Sequence, residues 1–213
     1  MALVNIREVY PGVSLGLWQM DETMEELCGL YPWLASCLPA LDKRYKSEGR
    51  KKESLSVRVL LHEMLSAAGC TEAQISKIGE IRHNEAGKPL LKGFHVSVSH
   101  TKGFAALIIS KNKEVAVDIE YLSDRVKRIA PKFLRRDEKA AGLDSLLVHW
   151  CGKETVYKLF SSENLQFHEM RVKPFDAMVD WNCEVENLKS KKKVVVDFEL
   201  TMEFVLTYAA LQG

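Results

Sequence analysis

Two carboxylates interrupt an apolar stretch at residues 115–120, which read Val-Ala-Val-Asp-Ile-Glu. The β-branched and small apolar residues predict a β-strand, in which successive side chains point to opposite faces. Asp118 and Glu120 therefore share one face, roughly 7 Å apart. At an effective dielectric constant of about 20 their repulsion is about 2 kcal/mol, which a divalent cation would reverse. On the strand alone, two solvated acids at an exposed strand end are the favoured explanation of the pattern.

A third carboxylate, Glu154, belongs to a predicted helix that begins near residue 143. The helix is predicted from four apolar side chains at the spacing of one face: Leu143, Leu147, Trp150 and Tyr157. Glu154 occupies the remaining position of that series, where an ionised carboxylate is costly unless it is paired or bound to metal. Lys158 lies one turn further on, but such an i,i+4 ion pair contributes only about 0.3 to 0.5 kcal/mol. The position of Glu154 therefore favours a functional acid over a structural one.

Four motifs, taken in order along the chain, resemble those of the 4'-phosphopantetheinyl transferase superfamily. They are Gly-Lys-Pro at residues 87–89, Val-Ser-Val-Ser-His-Thr at 96–101, Val-Ala-Val-Asp-Ile-Glu at 115–120 and Trp-Cys-Gly-Lys-Glu-Thr-Val-Tyr-Lys at 150–158. The resemblance covers residues 44–158 closely and the flanks loosely. Two departures are small: Ala116 stands where the family usually has Gly, and Thr155 where it usually has Ala or Ser. Neither departure removes a charged group.

The resemblance implies an α+β fold. At 213 residues the chain is similar to the surfactin-synthetase type, in which two similar halves form one monomer with pseudo-two-fold symmetry. Each half is then an antiparallel sheet packed with helices. The expected N-terminal half is 1–120, with the coenzyme A motifs and the first two acids, and the C-terminal half is 121–213, with the Glu154 helix and the last strands. No internal sequence repeat is visible, so the symmetry rests on the resemblance alone.

The implied activity is that of a holo-[acyl-carrier-protein] synthase. Such an enzyme transfers the 4'-phosphopantetheine group of coenzyme A to a serine of an apo acyl or peptidyl carrier protein and releases adenosine 3',5'-bisphosphate. The resemblance places Mg²⁺, with Mn²⁺ as an alternative ion, on Asp118, Glu120 and Glu154. Glu154 is also the implied general base, and Lys158 orients it or contacts phosphate. How the three acids divide the ligand and base roles is left open.

Coenzyme A carries a diphosphate and a 3'-phosphate, and both need cationic or hydrogen-bonding partners. A basic run at residues 43–52 precedes a predicted helix, and its two arginines are favoured because a guanidinium group matches phosphate oxygens. The remaining lysines of the run are as well explained by a solvated surface. The residues implied for coenzyme A are Arg44, Arg50, Lys88, Ser99, His100 and Lys158.

Two other functions use part of the same pattern. A magnesium-dependent hydrolase of nucleotide diphosphates would need the acids alone, and a non-catalytic coenzyme A or carrier-binding module would keep the fold without turnover. The motifs at 87–89 and 96–101 disfavour the hydrolase, and the intact acids and Lys158 disfavour the binding module. Carriers of fatty-acid, polyketide and nonribosomal-peptide synthesis all stay open, with Arg135 and Arg136 as a candidate contact for an acidic carrier helix.

Composition excludes several other classes of protein. The formal net charge is +1, and no nucleic-acid-binding motif is present, so nucleic acid is not an expected partner. No apolar run approaches the length of a membrane span, and the N-terminus lacks a signal-peptide pattern. The five cysteines never form C-x-x-C and are expected to be reduced thiols, with Cys151 as a packing residue. We therefore expect a cytoplasmic protein without a membrane partner, and the family resemblance implies a monomer.

Hydrophobic periodicity predicts the order of the main elements. Helices are expected at 53–68 and 71–78, after a cap at Ser123 or Asp124, and around Glu154. Strands at 95–100, 104–110 and 114–120 are expected to form a meander because the loops between them are short. Further strands are expected at 169–172, 176–180, 194–200 and 204–211, with a solvated turn at 189–193.

Overall fold

The computed structural model describes residues 3–211, in which runs of antiparallel strands are separated by runs of α-helices. The strands are β1 (Leu3–Tyr10), β2 (Val13–Gln19), β3 (Arg82–His83), β4 (Pro89–Leu90), β5 (His95–Thr101), β6 (Phe104–Ser110), β7 (Val115–Tyr121), β8 (Met170–Val172), β9 (Asn182–Asn187), β10 (Lys192–Leu200) and β11 (Phe204–Ala210). The helices are α1 (Met24–Leu30), α2 (Leu38–Arg44), α3 (Glu48–Ala67), α4 (Glu72–Ile78), α5 (Arg125–Phe133) and α6 (Gly142–Leu159). The α+β class predicted from the sequence is confirmed.

Two sheets carry the fold, and each presents one face to the other. The first has the strand order β1-β2-β6-β5 and the second the order β7-β11-β10-β9-β8, while β3 and β4 form a small separate ribbon. Side chains such as Leu15 and Ile108 from the first sheet pack against Ile119 and Leu206 from the second. Helix α3 covers the outer face of the first sheet, and α6 covers that of the second. The core is therefore layered as helix, sheet, sheet, helix.

Close packing of α3 on its sheet depends on a glycine. A Cβ atom added at Gly16 in β2 would lie 2.6 Å from Met64 Sδ and 2.8 Å from Leu60 Cδ1, both on α3. Real Cβ atoms do not approach other atoms so closely, so any larger residue at this position would push the helix away from the sheet.

The predicted meander is correct for β5 and β6 but wrong for β7, which leaves the first sheet and pairs with β11. In the register, Asp118 lies opposite Thr207 and Glu120 opposite Val205. β5 still runs beside β7 and reaches it through side chains, because Thr101 Oγ1 accepts a hydrogen bond from the Tyr121 amide at 3.1 Å. A short loop permits either pairing, and the distant strand β11 decides between them.

Two further differences concern strands. The first hairpin, β1 and β2, was not predicted, and the strand expected at 176–180 is a turn followed by β9. In the turn the Asp176 carboxylate accepts from the Met178 amide at 2.9 Å, and the Asp180 carboxylate accepts from the Asp176 amide at 2.8 Å. Aspartate side chains that bond to nearby backbone in this way compete with strand pairing.

The remaining elements follow the predictions with shifted boundaries. α3 begins five residues earlier than expected, and α5 follows Asp124 and ends two residues after Pro131. The expected boundary between halves, at residues 120 and 121, falls inside β7, which belongs with the C-terminal strands, and the division into symmetric halves stays a prediction. All five cysteines are free thiols. Within residues 3–211, no helix is long and apolar enough to cross a membrane.

Candidate active site

Strand β7 directs its two acids towards helix α6. Alternate residues of the strand, represented by Val117 and Ile119, are buried between the two sheets. Ala116 belongs to the other core, beneath α6, so Asp118 and Glu120 share the α6 side of the sheet. The helix carries Glu154 and Lys158 across that side of the sheet, and the two motifs that are separated in sequence meet there.

The face of α6 that suggested an inward-pointing Glu154 is in fact the least buried side of the helix. Tyr157 on that face is 37 % exposed, and Trp150 is only partly buried. The opposite side is sealed, with Cys151, Lys153 and Val156 having no exposure. Leu143, Leu147 and Trp150 of the predicted stripe do belong to or pack against the core, but so do residues on the other side of the helix, so apolar periodicity alone does not mark one buried face.

Asp118 makes the strongest contacts of the three acids. Its Oδ1 atom accepts from Lys158 Nζ at 2.7 Å and from Ser99 Oγ at 2.8 Å. Lys158 Nζ also donates to the Val117 carbonyl oxygen at 2.8 Å, which fixes the ammonium group against the strand. The second oxygen, Asp118 Oδ2, is buried and accepts no hydrogen bond. A buried carboxylate oxygen without a donor is costly, so this atom is available to a ligand.

The surroundings of the other two acids raise the pKa of each. Burial raises the pKa of Glu154 to about 7, and the negative charge of Asp118 acts in the same direction. Burial and then the charge of Asp118 also raise the pKa of Glu120, although Trp150 Nε1 donates to it at 3.3 Å and Thr101 Oγ1 at 3.2 Å. Three acids thus repel one another around one lysine, an arrangement that favours an additional cation.

The acids do not form a complete metal site by themselves. Among residues 3–211, no cluster of three or more His, Cys, Asp or Glu side chains is arranged to hold a metal ion. The donor set nevertheless suits Mg²⁺, which binds carboxylate oxygens and usually takes further ligands from substrate phosphates. The unpartnered Asp118 Oδ2 atom and the raised pKa values of Glu120 and Glu154 are what such an ion would relieve.

A cavity of about 670 Å³ opens beside Asp118. Four of the residues predicted for coenzyme A line it: Lys88, Ser99, His100 and Lys158. Sequence reasoning missed several of its other lining residues, among them His83, Tyr157, Ser161 and Asn164. Tyr157 had been assigned to the core, and no local pattern in the sequence singles out the other three.

Arg44 and Arg50 line a smaller adjoining cavity of about 100 Å³, which shares His83 and His100 with the larger one. Arg50 approaches His100 Nε2 at 3.4 Å and Glu53 at 3.2 Å. Burial lowers the pKa of His100, and although Glu53 opposes this, Arg50 and Lys158 add to it.

The smaller cavity also contains an arginine that was not predicted, Arg58. Burial lowers the pKa of His83, and the charges of Arg44 and Arg58 lower it further. Such a concentration of positive charge favours an anion in the smaller cavity. The basic run as a whole does not converge here, since Lys51 pairs with Asp42 at 2.6 Å.

A third cavity, of about 220 Å³, lies between α5 and α6. Glu120 and Trp150 line its inner wall, and Arg125 and Ile129 line the side formed by α5. Because α6 runs from this cavity to the one that contains Lys158, Glu154 lies between the two. Glu120 therefore borders this cavity, whereas Asp118 is connected to the larger one through its contacts with Ser99 and Lys158.

Two other predicted residues have structural surroundings. Cys151 is completely buried, and burial together with the charge of Asp118 raises the pKa of its thiol well above the usual value, so it is a poor nucleophile. Arg135 was suggested as a docking residue but is engaged, because its guanidinium group contacts Asp137 and the His168 carbonyl oxygen. Arg136 is exposed.

Comparison with known proteins agrees with the geometry of β7 and α6. The family model described as the 4'-phosphopantetheinyl transferase superfamily matches residues 114–209, a segment that includes both strand acids, Glu154 and Lys158. No curated protein matches the chain.

Proposed function

The chain is a member of the 4'-phosphopantetheinyl transferase superfamily through residues 114–209, and from that membership we propose that it modifies carrier proteins. The reaction is transfer of the 4'-phosphopantetheine group of coenzyme A to a serine of an apo acyl or peptidyl carrier protein. The observation that carries this proposal is the group of three acids beside a cavity lined by lysine, histidine and serine side chains. An acid cluster with an unpartnered buried oxygen next to basic groups suits a substrate that brings both phosphate and a cation.

The two adjoining basic cavities suit the two phosphate positions of coenzyme A. Lys88 and Lys158 would hold the diphosphate end, because both line the cavity next to Asp118. The smaller cavity, with Arg44, Arg50 and His100, would hold the 3'-phosphate together with Ser99 at the end of the same strand. This assignment is supported by the concentration of arginine and histidine side chains in that compartment.

Asp118, Glu120 and Glu154 are the residues that would hold Mg²⁺ or Mn²⁺. When bound, the ion supplies positive charge against the oxygens of the diphosphate and lowers the mutual repulsion of the acids. Lys158 keeps Asp118 Oδ1 in place, and the proposed ligand atom is Oδ2, which accepts no hydrogen bond.

Glu154 is the proposed general base. Before an ion binds, burial and the charge of Asp118 raise the pKa of its carboxyl group to about 7, so this group is more basic than an exposed glutamate. The carrier serine hydroxyl gives its proton to Glu154 while its oxygen forms a bond to the β-phosphorus of coenzyme A. The bond from that phosphorus to the oxygen shared with the α-phosphate breaks, and adenosine 3',5'-bisphosphate leaves.

The family resemblance supports the rest of the proposal. We propose a monomer built from two related halves that acts in the cytoplasm on carriers of fatty-acid, polyketide or nonribosomal-peptide synthesis. The two halves would meet where β5 runs beside β7, which is also where Ser99 contacts Asp118.

Mass spectrometry of several apo carrier proteins tests the proposal directly. Each carrier is incubated with the protein, coenzyme A and Mg²⁺, with an EDTA-treated sample as the control. A mass gain of one phosphopantetheine on at least one carrier, lost with EDTA, is the expected result. Release of adenosine 3',5'-bisphosphate without any carrier would instead identify a hydrolase, and coenzyme A binding without product would identify a binding module.

A further inference from the structure

Trp150 packs against two aromatic rings, Phe133 and Phe167, which also contact each other, and it donates its single hydrogen bond to an acid of the site. Its ring lies 5.2 Å from that of Phe133, at an angle of 65°, and 5.1 Å from that of Phe167, at 35°. Its Nε1 atom donates to Glu120 Oε1 at 3.3 Å. We call Phe133, Trp150 and Phe167 the aromatic clamp. The clamp fixes the indole plane, and the indole N–H in turn fixes one oxygen of Glu120.

A fully buried ion pair holds the backbone of the same two phenylalanines. Lys153 Nζ donates to the carbonyl oxygen of Phe133 at 2.7 Å and to that of Phe167 at 3.4 Å. Its third contact is Glu138 Oε2 at 2.7 Å, and neither side chain of this pair is exposed. Lys153 therefore ties together the two segments whose rings flank Trp150, although both segments are distant from it in sequence.

Glu138 is equally well satisfied. Its Oε1 atom accepts from the Val172 amide at 2.7 Å, and its Oε2 atom accepts from the Arg135 amide at 2.8 Å as well as from Lys153. A buried ion pair stabilises a protein only when its remaining hydrogen bonds are made, and here they are. The pair thus connects the end of α5, α6 and β8 through directional contacts that hydrophobic packing alone would not supply.

We propose that Trp150 is a positioning residue for Glu120, and that the Lys153–Glu138 pair acts through the aromatic clamp to hold it. This inference rests on the proposed function, in which Glu120 is a ligand of the divalent ion. Glu120 needs such support because its other hydrogen bond, from Thr101 Oγ1 at 3.2 Å, comes from the opposite sheet. With the indole N–H in place, its carboxylate is held between β5 and α6.

The variant Trp150→Phe tests the first step, since it keeps an aromatic ring in the clamp and removes the N–H donor. The matched control is Trp181→Phe, the same change at a tryptophan that is 74 % exposed. Manganese affinity is measured by calorimetric titration in the presence of coenzyme A and without a carrier. We expect Trp150→Phe to weaken manganese binding and to lower kcat by about 10-fold or more, the effect of losing a hydrogen bond to a charged group. KM for the carrier should not change, and Trp181→Phe should match the wild type.

The inference is overturned if Trp150→Phe binds manganese and turns over like Trp181→Phe, or if the wild type binds no manganese. Loss of melting temperature alone, with normal manganese affinity and kcat, would reduce Trp150 to a packing residue and also overturn it. Because the titration needs no carrier, it separates this inference from the proposed function. If the wild type modifies no carrier, the proposed function is wrong. If Trp150→Phe binds manganese as the wild type does, the positioning role of Trp150 is wrong.

The role of the ion pair needs a second variant. Lys153→Met alone leaves a buried carboxylate unpaired and is expected to be strongly destabilised, so it is combined with Glu138→Gln, which removes the second charge and keeps an acceptor for a backbone amide. We expect the double variant to fold and to share the weakened manganese binding of Trp150→Phe, because the carbonyl groups of the clamp have lost their donor. A folded double variant with wild-type manganese affinity and kcat would show that the pair serves stability alone.

Discussion

Helix α6 carries two lysines, little more than one turn apart, and each forms an ion pair with a carboxylate in different surroundings. Lys153 and Glu138 are 2.7 Å apart, and neither is exposed. Lys158 and Asp118 are also 2.7 Å apart, but the lysine is 26 % exposed and borders a cavity. The distances are equal, so the difference lies in what surrounds each pair.

The first pair is complete, and the second is not. Both oxygens of Glu138 accept hydrogen bonds, whereas Asp118 Oδ2 accepts none. Glu154 lies near the second pair and has a pKa of about 7 because of burial and the charge of Asp118. A buried ion pair whose hydrogen bonds are all made stabilises the fold. A cluster of charges that lacks partners can bind a ligand, but it lowers the stability of the protein.

The largest effect is expected when the unsatisfied cluster loses an acid. Asp118→Ala and Glu154→Gln should each lower transfer at least about 100-fold, since one removes a proposed ligand and the other the proposed base. Both variants should stay folded by circular dichroism. Asp144→Asn, at the start of the same helix, is the control and should transfer normally. Near-normal transfer by either active-site variant, measured by mass spectrometry of the carrier, would sink the assignment.

Replacing each lysine by a neutral residue should lower the free energy of unfolding by different amounts for the two ion pairs. Lys153→Met should lower the free energy of unfolding by about 3 to 5 kcal/mol, because it leaves Glu138 charged and buried without its partner. Lys158→Met should cost much less, since its position is partly exposed to water, but it should lose transfer. Urea denaturation measures both. Equal costs for the two variants would contradict the distinction between a structural and a functional pair.

The cost of the acid cluster should be visible as a pH dependence. The pKa of Glu154 is raised from 4.5 to about 7, so the native state binds more protons than the unfolded state between those values. Wild-type stability should therefore fall as the pH rises from about 4.5 through about 7. Glu154→Gln removes this loss and should be more stable than the wild type at pH 8, by up to about 3 kcal/mol. Urea denaturation at several pH values measures the difference, and parallel curves for the two proteins would refute it.

The strand acids could be predicted because their information is local. Two-residue alternation places Asp118 and Glu120 on one face whatever sheet the strand joins. The sheet itself could not be predicted, because β11, which pairs with β7, lies over eighty residues further along the chain. The stripe around Glu154 was predicted only in part, since three of its four apolar residues pack against the core but α6 is buried on nearly every other side as well.

The ion pair between Lys153 and Glu138 could not be predicted from the sequence, for a similar reason. Lys153 stands inside a recognised motif, yet its partner Glu138 lies in a loop fifteen residues earlier, outside any i,i+4 pattern. Cavity residues such as His83 and Asn164 are brought in by turns whose spatial position depends on the whole fold. Local periodicity identifies which acids are unusual, whereas the packed structure decides which charges are satisfied.

The smallest effect is expected at Arg50, where charge is exposed and the contrast with the buried pair is greatest. Its side chain is 59 % exposed, and its contact with Glu53 adds little to stability. Arg50→Ala should instead raise KM for coenzyme A by about 10-fold, the value of one charge-assisted hydrogen bond to phosphate. With coenzyme A lacking the 3'-phosphate, wild type and variant should have similar KM values, because the group that Arg50 contacts is gone. Arg128→Ala, an exposed arginine on α5, is the control. If Arg50→Ala raised the KM equally for both forms of coenzyme A, Arg50 would not be a ligand of the 3'-phosphate. A residue that acts only by binding that group has no effect on a substrate that lacks it.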